Sequence, residues 1–597
     1  MKYRWSLAPA QPLLAGQLAN NLKIPPLLAQ CLVNRSLSDA DAIGRFLEPR
    51  LQDLRDPFLL PDMAAAVDRL FQARERGEHL VIFGDYDVDG VTSTALLLLV
   101  LRRLGWSVDY YLPHRMDEGY GLSQEAVQNC LRKFPVSLLL AVDCGSTTVD
   151  SIAWLRSRGV DVIVLDHHQV SSPAPAALAL VNPHCEGSAG RQPVAQSGPV
   201  QGGDENGYRR DACAAFTELC SAGLAFKLAH ALVKRGRETG LRGASEFDLR
   251  SVLDLVALGT VADIVPLTGE NRILVAAGLH RLNATDRPGL VALKKVAQCP
   301  TPVGTYEVGF QLAPRLNAAG RLETAEAALQ LLLARDATEA LPLAQTLDAC
   351  NRDRQKIERA IAEEVVSAIR ARFNPEEHFV IVEGQSQWHI GVVGIVAARV
   401  LQQFYRPTII VGGEGEYWRG SGRSIAGFDL AGALRECDDL LARHGGHAMA
   451  AGVTVVPDKM DEFRNRLNEL ARRSLKPEEL QPLLRIDGEV GLEEMNLECL
   501  LHLARLKPVG QGNPAVQFCA RGLVHQRPLQ RLGAEKQHVK MWVTDGASSL
   551  EAVWWRAGNE MLPVGRFDLA FAPQINQYNG RRTVQLKVLD WKPNNSQ

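Results

Sequence analysis

The stretch most suited to chemistry is VIFGDYDVDGVTST, in which a short apolar run is followed by three carboxylates. Asp85, Asp87 and Asp89 occupy alternate positions. Carboxylates this close repel one another, so the spacing predicts a bound cation. The segment opens like a calcium loop of the EF-hand type, but that loop requires Glu at its twelfth position, which here is Leu96. An apolar strand also precedes the loop where an EF-hand has a helix, so we exclude the calcium-loop interpretation.

Further candidate ligands follow other predicted strands. Asp143 ends the run SLLLAVDCG, and Asp166, His167 and His168 end the run DVIVLDHH. Because the carboxyl ends of parallel strands share one edge of a sheet, we expect these side chains to converge. Asp263, in LGTVADIVPL, follows a helical run and is expected at the same edge. A lone Asp is more often a helix cap or a turn residue, and only the conjunction of these residues indicates metal.

The expected chemistry is phosphoryl transfer assisted by two metal ions. Mixed Asp and His ligands suit Mn²⁺ or Mg²⁺, and no Cys accompanies them in the pattern, which argues against zinc. The number of carboxylates favours two ions over one, and Asp143 is the candidate bridging ligand because its strand lies between the others. Two ions about 3.5–4 Å apart would activate water and stabilise the leaving oxygen of a phosphodiester.

Strands buried on both faces must position these residues. HLVIFG, VDYYL, SLLLAVDCG, DVIVLD and LALVN are nearly continuous apolar runs separated by helical stretches, which predicts a parallel α/β sheet. Residues 185–207, rich in Gly, Pro, Ser and Gln, are predicted to form a flexible surface insertion. Residues 341–373 predict a long connecting helix, after which HFVIVEG begins a second, smaller α/β unit that runs to about residue 474.

The C-terminal part of the chain has a different pattern. Five strand-like runs, with a turn at Asn579–Gly580, predict a small β-barrel of the oligonucleotide-binding (OB) type. From residue 501 onward there are 13 Lys and Arg against 6 Asp and Glu, although the whole chain has a formal net charge of −2. Basic charge interleaved with aromatic rings is typical of single-strand binding, and a basic structural barrel with Trp in its core is the alternative. The tryptophans of this segment are Trp542, Trp554, Trp555 and Trp591.

Bulk composition is that of an ordinary globular protein. The 597 residues are 46% hydrophobic and 22% charged, which suggests roughly three or four domains of about 100–200 residues each. The 11 cysteines form no CxxC pair, so free thiols in a reducing compartment are expected. The N-terminal residues lack the apolar core of a signal peptide, and the longest strongly apolar stretch, ALLLLVLRRLG, is too short to span a membrane. We therefore expect a cytoplasmic protein without membrane contact.

Several motifs, in their order along the chain, resemble those of the DHH phosphoesterase superfamily. They are FGDYDVDGVTS, VDCG, DHH, ADIVPL, PRLNAAGRL, WHIGVVGIVA, SGRS and GGHAMAAG. Within the superfamily they are similar to those of bacterial exonucleases that degrade single-stranded DNA from its 5′ end. The resemblance covers nearly the whole chain and, with the patterns above, divides it into five parts. These are an N-terminal extension packing on the core (1–48), a DHH catalytic domain (49–338), a connecting helix (339–373), a DHH-associated substrate-binding domain (374–476) and an OB domain (477–597).

The resemblance implies roles around the metal site. Asp87 and Asp89 are the favoured ligands of the first motif, although which of its three aspartates bind directly stays open. Asp166 would orient a histidine, and His168 would face the scissile phosphate beside Asp143. The implied metal ligands are Asp85, Asp87, Asp89, Asp143, His167 and Asp263.

The resemblance also implies contacts to the substrate. Ser421 and Arg423 would anchor a terminal 5′-phosphate, and His447, in a Gly-rich loop, would contact a substrate phosphate. Tyr120 would stack near the end of the strand. The remaining implied contacts are Arg115 near the strand end and Arg315 and Asn317 along the cleft.

These assignments predict a metal-dependent exonuclease that hydrolyses single-stranded DNA in the 5′→3′ direction to 5′-mononucleotides, in DNA repair and recombination. The resemblance implies a single-strand-binding protein and a RecQ-type helicase as collaborators. Two alternatives are a DHH phosphodiesterase acting on very short oligonucleotides or cyclic dinucleotides, and a DHH-like replicative scaffold that binds DNA without cutting it. The first has no use for a basic barrel, and the second lacks metal ligands.

Overall fold

The computed structural model describes residues 2–114, 117–185, 216–322, 324–558 and 560–594. Its contacts divide the chain into two compact units. The parallel-sheet unit comprises Gly44–Arg352 and Leu506–Pro514, and the mixed unit comprises Met1–Ile43, Asp353–Arg505 and Ala515–Gln597. Arg115 and residues 186–207 of the predicted insertion lie outside the described residues.

The N-terminal segment packs within the mixed unit. Strand β1 (Arg4–Leu7) pairs in parallel with Leu483–Ile486, and the indole N–H of Trp5 donates to Asp590 over 2.9 Å. The helices that follow are α1 (Pro12–Leu22), α2 (Pro26–Val33) and α3 (Ala40–Leu47), and the boundary of the unit, after Ile43, falls within α3.

A five-stranded parallel sheet forms the centre of the parallel-sheet unit. The elements that build it are α4 (Met63–Glu75), β2 (Leu80–Gly84), α5 (Val88–Arg103), β3 (Val108–Tyr111), α6 (Gln124–Lys133), β4 (Leu138–Val142), α7 (Val149–Ser157), β5 (Asp161–Leu165) and β6 (Ala179–Val181). The strand order is β3-β2-β4-β5-β6, and every neighbouring pair is parallel, as the continuous apolar runs predicted. All residues of β2 and β4 are buried.

Helices complete this unit. They are α8 (Ser221–Glu238), α9 (Leu253–Ala262), α10 (Gly269–Asn283), α11 (Pro288–Val296), α12 (Thr305–Glu307), α13 (Ala313–Leu322), α14 (Glu326–Leu333) and the first part of the 36-residue α15 (Ala337–Arg372), which belongs to this unit up to Arg352. Helix α5 is buried nearly all round and packs among α8, α9 and α14. Buried Arg272 donates to the carbonyls of Leu506 and Lys507 over 3.0 and 2.8 Å, which ties the segment Leu506–Pro514 to this unit.

A second sheet lies in the mixed unit. The elements around it are β7 (Ile381–Gln385), α16 (Val393–Phe404), β8 (Thr408–Gly412), β9 (Trp418–Arg423), α17 (Leu430–Arg435), β10 (Leu441–His447), β11 (Ala450–Val455) and α18 (Met460–Ser474). The strand order is β10-β11-β9-β8-β7, and only β7 and β8 pair in parallel, so this sheet is mixed. The motif GGHAMAAG is a hairpin in which His447 ends a strand, and the expectation of a Gly-rich loop around His447 is wrong.

The C-terminal strands form the predicted barrel. The elements of this region are β12 (Leu483–Ile486), β13 (Gly488–Glu489), α19 (Leu497–Leu503), β14 (Phe518–His525), β15 (Gln530–Leu532), β16 (His538–Thr544), β17 (Ser549–Trp554), β18 (Phe567–Tyr578) and β19 (Arg581–Pro593). The strand order is β13-β14-β18-β19-β17-β16-β15, and an additional pairing of β14 with β16 closes the sheet on itself, as in an OB fold. Trp554 is buried while Trp555 is 47% exposed, so part of the aromatic content belongs to the core. Across the described ranges, no helix combines the length and apolarity needed to cross a bilayer.

Candidate metal centre

The carboxyl edge of the parallel sheet gathers the predicted ligands. β2, β4 and β5 end at Gly84, Val142 and Leu165, directly before Asp85, Asp143 and Asp166. We call the set Asp85, Asp87, Asp89, Asp143, Asp263, His167 and His168 the acidic edge.

His167 lies at the centre of the acidic edge. Its Nε2 is 3.4 Å from Asp143 Oδ1, 3.6 Å from Asp263 Oδ2 and 3.9 Å from Asp89 Oδ2. Asp263 reaches this point because helix α9 ends there, with Asp263 as its C-terminal cap. Three carboxylates and one imidazole therefore face one another, as the parallel topology predicted.

Asp143 is shared between two groups of ligand atoms. One group joins it to Asp85 and Asp87, the other to His167 and His168, and the atoms of each group lie within 4.8 Å of one another. Its backbone has φ 64°, a conformation that Asp adopts more readily than most side chains. Asp143 therefore lies between the pair Asp85 and Asp87 on one side and His167 on the other, which is the position of a bridging ligand.

Burial and mutual repulsion disfavour the charged carboxylates of the acidic edge. Burial, and then the charge of Asp87, raises the pKa of Asp89 to about 7. Burial, followed by the charges of Asp89 and Asp87, raises the pKa of Asp263 to about 9, and burial with neighbouring carboxylates raises that of Asp143 well above its usual range. The buried atoms His167 Nε2 and Asp263 Oδ2 have no hydrogen-bond partner among the described residues. Buried acceptors of this kind are satisfied when they coordinate a metal.

The two neighbouring histidines have opposite environments. Burial, and then the charge of His168, lowers the pKa of His167 to about 4, so its ring is neutral and can act as a ligand. Burial also opposes a charge on His168, but the 2.7 Å hydrogen bond between its Nδ1 and Asp166 Oδ1 raises its pKa to about 9. His168 is therefore a cation at neutral pH.

Asp166 holds both histidines in place. Its Oδ1 accepts hydrogen bonds from the backbone N–H groups of His167 and His168, at 2.8 and 3.2 Å, and its Oδ2 accepts from Ser146 N at 3.0 Å. Burial opposes its ionisation, but the hydrogen bond and charge of the His168 ring, and then the hydrogen bonds from Ser146, hold the pKa of Asp166 well below its usual range. Asp166 thus stays charged and orients the pair.

Helix α8 contributes residues that the sequence analysis missed. At its N-terminus, Ser221 N and Ala222 N donate to the two oxygens of Asp89 over 2.7 and 2.8 Å, and Ser221 Oγ donates to Asp143 Oδ1 over 2.9 Å. Cys220 has its sulfur within 4.8 Å of ligand atoms of Asp89 and Asp263, so the expectation that no Cys accompanies the ligands is wrong. The sequence around Cys220 and Ser221 carries no spacing that indicates a metal site. These residues reach the acidic edge only because helix α8, from a distant part of the chain, packs against it.

Three further predicted residues lie in the same unit. Tyr120 is 52% exposed, and its hydroxyl donates to the carbonyl of Asp143 over 3.1 Å, directly beside the edge. Asn317 Oδ1 accepts from Val88 N over 3.0 Å and so fastens α13 to the acidic loop. Arg315 instead pairs with Asp348 over 2.9 Å, so its guanidinium is already engaged. Arg115 lies outside the described residues.

The mixed unit holds the other predicted residues, Ser421, Arg423 and His447, which we call the basic cluster. Arg423 Nη1 donates to Ser421 Oγ over 2.7 Å, and burial lowers the pKa of Arg423. Arg423 and His447 both pair in register with Ala450, so they share one face of the sheet. The first turn of α16 packs closely against this cluster, because a Cβ added at Gly394 would lie only 3.1 Å from Ser421 Oγ. A helix N-terminus beside Arg and Ser forms an anion-binding arrangement.

Comparison with known proteins agrees with this architecture. The model of the DHH family N-terminal domain matches residues 79–260, that of the DHHA1 domain residues 377–473, and that of the RecJ OB domain residues 486–590. The chain is 36% identical over 595 residues to the single-stranded-DNA-specific exonuclease RecJ of Bacillus subtilis (strain 168), covering 99% of this chain and 71% of the relative. It is 34% identical over 589 residues to the enzyme of the same name from Escherichia coli (strain K12), covering 95% and 96%.

A solved structure shows the same fold. The crystal structure of RecJ in complex with Mn²⁺ from Thermus thermophilus superposes with a TM-score of 0.82 at 29% identity, covering 100% of this chain and 80% of that one. The fold and the acidic edge thus define a DHH phosphoesterase that carries a DHHA1 domain and an OB domain. At this level of identity over nearly its full length, the chain belongs to the RecJ family of exonucleases, which confirms the predicted membership.

Proposed function

We propose that this chain is a metal-dependent exonuclease that hydrolyses single-stranded DNA from its 5′ end, releasing 5′-mononucleotides in DNA repair and recombination. The observation that carries the proposal is His167 Nε2 facing three carboxylates at 3.4–3.9 Å, beside a second group that shares Asp143. Relatives whose names specify single-stranded DNA, and structures of RecJ with Mn²⁺ and with Mg²⁺, support the substrate and the cofactors.

The acidic edge would hold two divalent ions, Mn²⁺ or Mg²⁺. Asp89, Asp143, Asp263 and His167 form one set of ligands, and Asp85 and Asp87 with Asp143 form the other. When bound, such ions supply a nucleophilic water and neutralise charge on the leaving oxygen. The hydrogen bonds from α8 fix the Asp89 and Asp143 carboxylates before substrate arrives, so little reorganisation is needed.

His168 acts on the substrate in this proposal. Because its Nδ1 faces Asp166, its Nε2–H is the group directed to a non-bridging oxygen of the scissile phosphate. A cationic ring stabilises the charge that develops on that phosphate. Asp166 acts through His168 by keeping it charged and oriented, and Tyr120 supplies a ring for the terminal base.

The basic cluster would define the polarity. Arg423 and Ser421 offer a charged donor and a hydroxyl to a terminal 5′-phosphate, and His447 on the same face offers a third contact. Asn317 lines the metal loop. Arg315 is a phosphate contact for which the substrate competes with Asp348. Arg115 is the contact near the end of the strand.

The OB barrel would retain the remainder of the strand. Its segment has the basic excess of 13 Lys and Arg over 6 Asp and Glu from residue 501 onward, and such barrels bind single strands through cations and exposed rings. We place the enzyme in the cytoplasm, where chromosomal DNA of bacteria lies, with a single-strand-binding protein and a RecQ-type helicase as collaborators. Support for these collaborators comes from the family resemblance.

The decisive experiment is digestion of 5′-labelled and 3′-labelled single strands, with and without Mn²⁺, by the wild-type protein and Asp143→Ala. We expect 5′ label to be released first as mononucleotide, only with metal and only by the wild type. Release of 3′ label first would contradict the polarity, and full activity of Asp143→Ala would contradict the metal assignment.

A second experiment separates this function from hydrolysis of very short substrates. We expect the full chain to degrade a long strand with a far lower KM than a dinucleotide, because only the long strand reaches the barrel. Equal KM values for the long strand and the dinucleotide would contradict a role of the barrel in binding the substrate. Truncation is a poorer test unless it begins after Pro514, since Leu506–Pro514 packs in the parallel-sheet unit.

A further inference from the structure

Two large aromatic side chains of the parallel-sheet unit are open to solvent beside each other. Tyr306 is 63% exposed and Phe310 is 70% exposed. Their ring centroids are 4.9 Å apart, and the ring planes differ by 31°. Large rings that stay open to solvent forgo hydrophobic stabilisation, and adjacent exposed apolar side chains can mark a binding surface.

The pair lies on a helical run that leads to the metal loop. The run consists of α12, a π-helical turn at Val308–Leu312 and α13. The C-terminal part of this run contacts the metal loop at two points. Asn317 accepts a hydrogen bond from Val88 N, and Gly320 packs so closely that an added Cβ would lie 2.6 Å from Tyr86 O. At about 1.5 Å per residue, the seven positions from Phe310 to Asn317 span about 10 Å.

The same turn also approaches helix α9. A Cβ on Gly309 would meet Val261 Cγ1 at 4.0 Å, and Val261 lies two residues before Asp263. Ile264, next to Asp263, is 70% exposed. The turn that carries the rings therefore packs against helix α9, two residues before the metal-ligand candidate Asp263.

The rings fit a nucleobase better than a protein partner. The exposed pair, tilted by 31°, offers ring surface to another flat ring, and stacking on aromatic side chains accepts any base because every base has a π-face. The neighbouring chemistry acts on a polynucleotide, whose bases must pass the metal site one after another. Aromatic side chains also occur in protein interfaces, so the choice of a nucleobase rests on the chemistry of the neighbouring metal site.

We propose that Tyr306 and Phe310 form a stacking platform for a base of the single strand, on the 3′ side of the scissile phosphodiester. The distance of about 10 Å from Phe310 to Asn317 corresponds to about three nucleotides at about 3.4 Å per stacked base. This inference rests on the proposed function and adds a contact that reads base planarity independently of base identity.

The test uses 5′-phosphorylated strands that carry one abasic position, moved in turn from the second to the sixth nucleotide. For the wild-type enzyme with Mn²⁺, we expect about a tenfold rise in KM when the abasic position reaches the platform, and a smaller effect elsewhere. Phe310→Ala and the double variant Tyr306→Ala/Phe310→Ala should raise KM for the intact strand about tenfold and lose the response to that abasic position.

Matched variants separate stacking from apolar contact. Phe310→Trp keeps a flat ring and should retain the abasic response, whereas Phe310→Leu keeps only apolar area and should lose it. Tyr417→Ala removes a 50% exposed ring of the mixed unit and should behave as wild type. Melting temperatures of all variants should match, because the substituted rings are exposed.

The outcomes are distinct. Suppose that the wild type is active and that Phe310→Leu and Phe310→Ala show the same rise in KM on abasic strands as the wild type. That result would overturn the platform, and the surface would then suit a protein partner. A wild type without nuclease activity on any strand would overturn the proposed function instead.

Discussion

The two sheets of this protein present opposite chemistries. The parallel sheet delivers carboxylates to its edge, where burial raises the pKa of Asp89 to about 7 and that of Asp263 to about 9. The mixed sheet presents Arg423, whose guanidinium donates to Ser421 Oγ and to the carbonyl of Gly422 over 2.7 and 2.8 Å. The basic cluster thus satisfies part of its hydrogen bonding internally, while the acidic edge relies on cations. Metal removal should therefore perturb the first region and leave the second intact.

The largest effect is expected at Asp143, which both ligand groups share. Asp143→Ala and Asp143→Asn should lower kcat with Mn²⁺ by about a thousandfold or more, because a metal contributes several kcal/mol of transition-state stabilisation. Titration calorimetry with Mn²⁺ should show weaker binding in both variants. Activity within about tenfold of wild type would mean that the acidic edge is not the metal site.

The basic cluster should respond to the substrate terminus. Arg423→Ala removes charge-assisted hydrogen bonds of about 1.5–3 kcal/mol, so kcat/KM on 5′-phosphorylated strands should fall about 10–100-fold. On strands with a 5′-hydroxyl the loss should be slight. Arg435→Ala, which alters a different arginine of the same unit, is the matched control. Equal losses on both termini would show that Arg423 does not read the phosphate.

Metal-free stability should depend on pH in a definite direction. Asp89, Asp263 and His168 have folded-state pKa values of about 7, 9 and 9, above the usual values of about 3.9 and 6.5. The folded state holds these protons more tightly, so this stabilisation is present at low pH and is lost as pH rises toward about 9.

The melting temperature should therefore be measured at about pH 6.5 and about pH 8.5, in EDTA and with Mn²⁺. We expect the decrease between the two pH values to be about 5 °C larger in EDTA than with Mn²⁺. Asp143→Asn should reduce this difference, because it removes one of the repelling carboxylates. Parallel pH profiles with and without metal would contradict the charge balance inferred for the acidic edge.

The smallest effect is expected at Ser221, which acts through the carboxylates. Ser221→Ala removes one hydrogen bond to Asp143, of about 1 kcal/mol, and should weaken Mn²⁺ binding about fivefold. Ser221→Thr keeps the hydroxyl and should restore binding. If both variants bind Mn²⁺ as wild type does, the hydroxyl does not position Asp143.

Much of the architecture follows from the sequence alone. Continuous apolar runs ending in Asp or His predict parallel strands, and parallel topology places Asp143 and Asp166 at one edge without further information. Alternating burial in β16 and the Asn579–Gly580 turn likewise follow from local pattern, since side chains alternate along a strand and this turn needs positive φ. Such features depend on residues close together in the chain.

Only the tertiary structure decided which distant groups meet these residues. Ser221 and Cys220 reach the acidic edge, and Arg315 pairs with Asp348, because helices packed against one another bring them there. The exposure of Tyr306 and Phe310 is equally invisible in the sequence, where an aromatic pair on a helix predicts a buried face. Periodicity specifies which side of an element is apolar, but the packing of whole elements determines what each side chain finally faces.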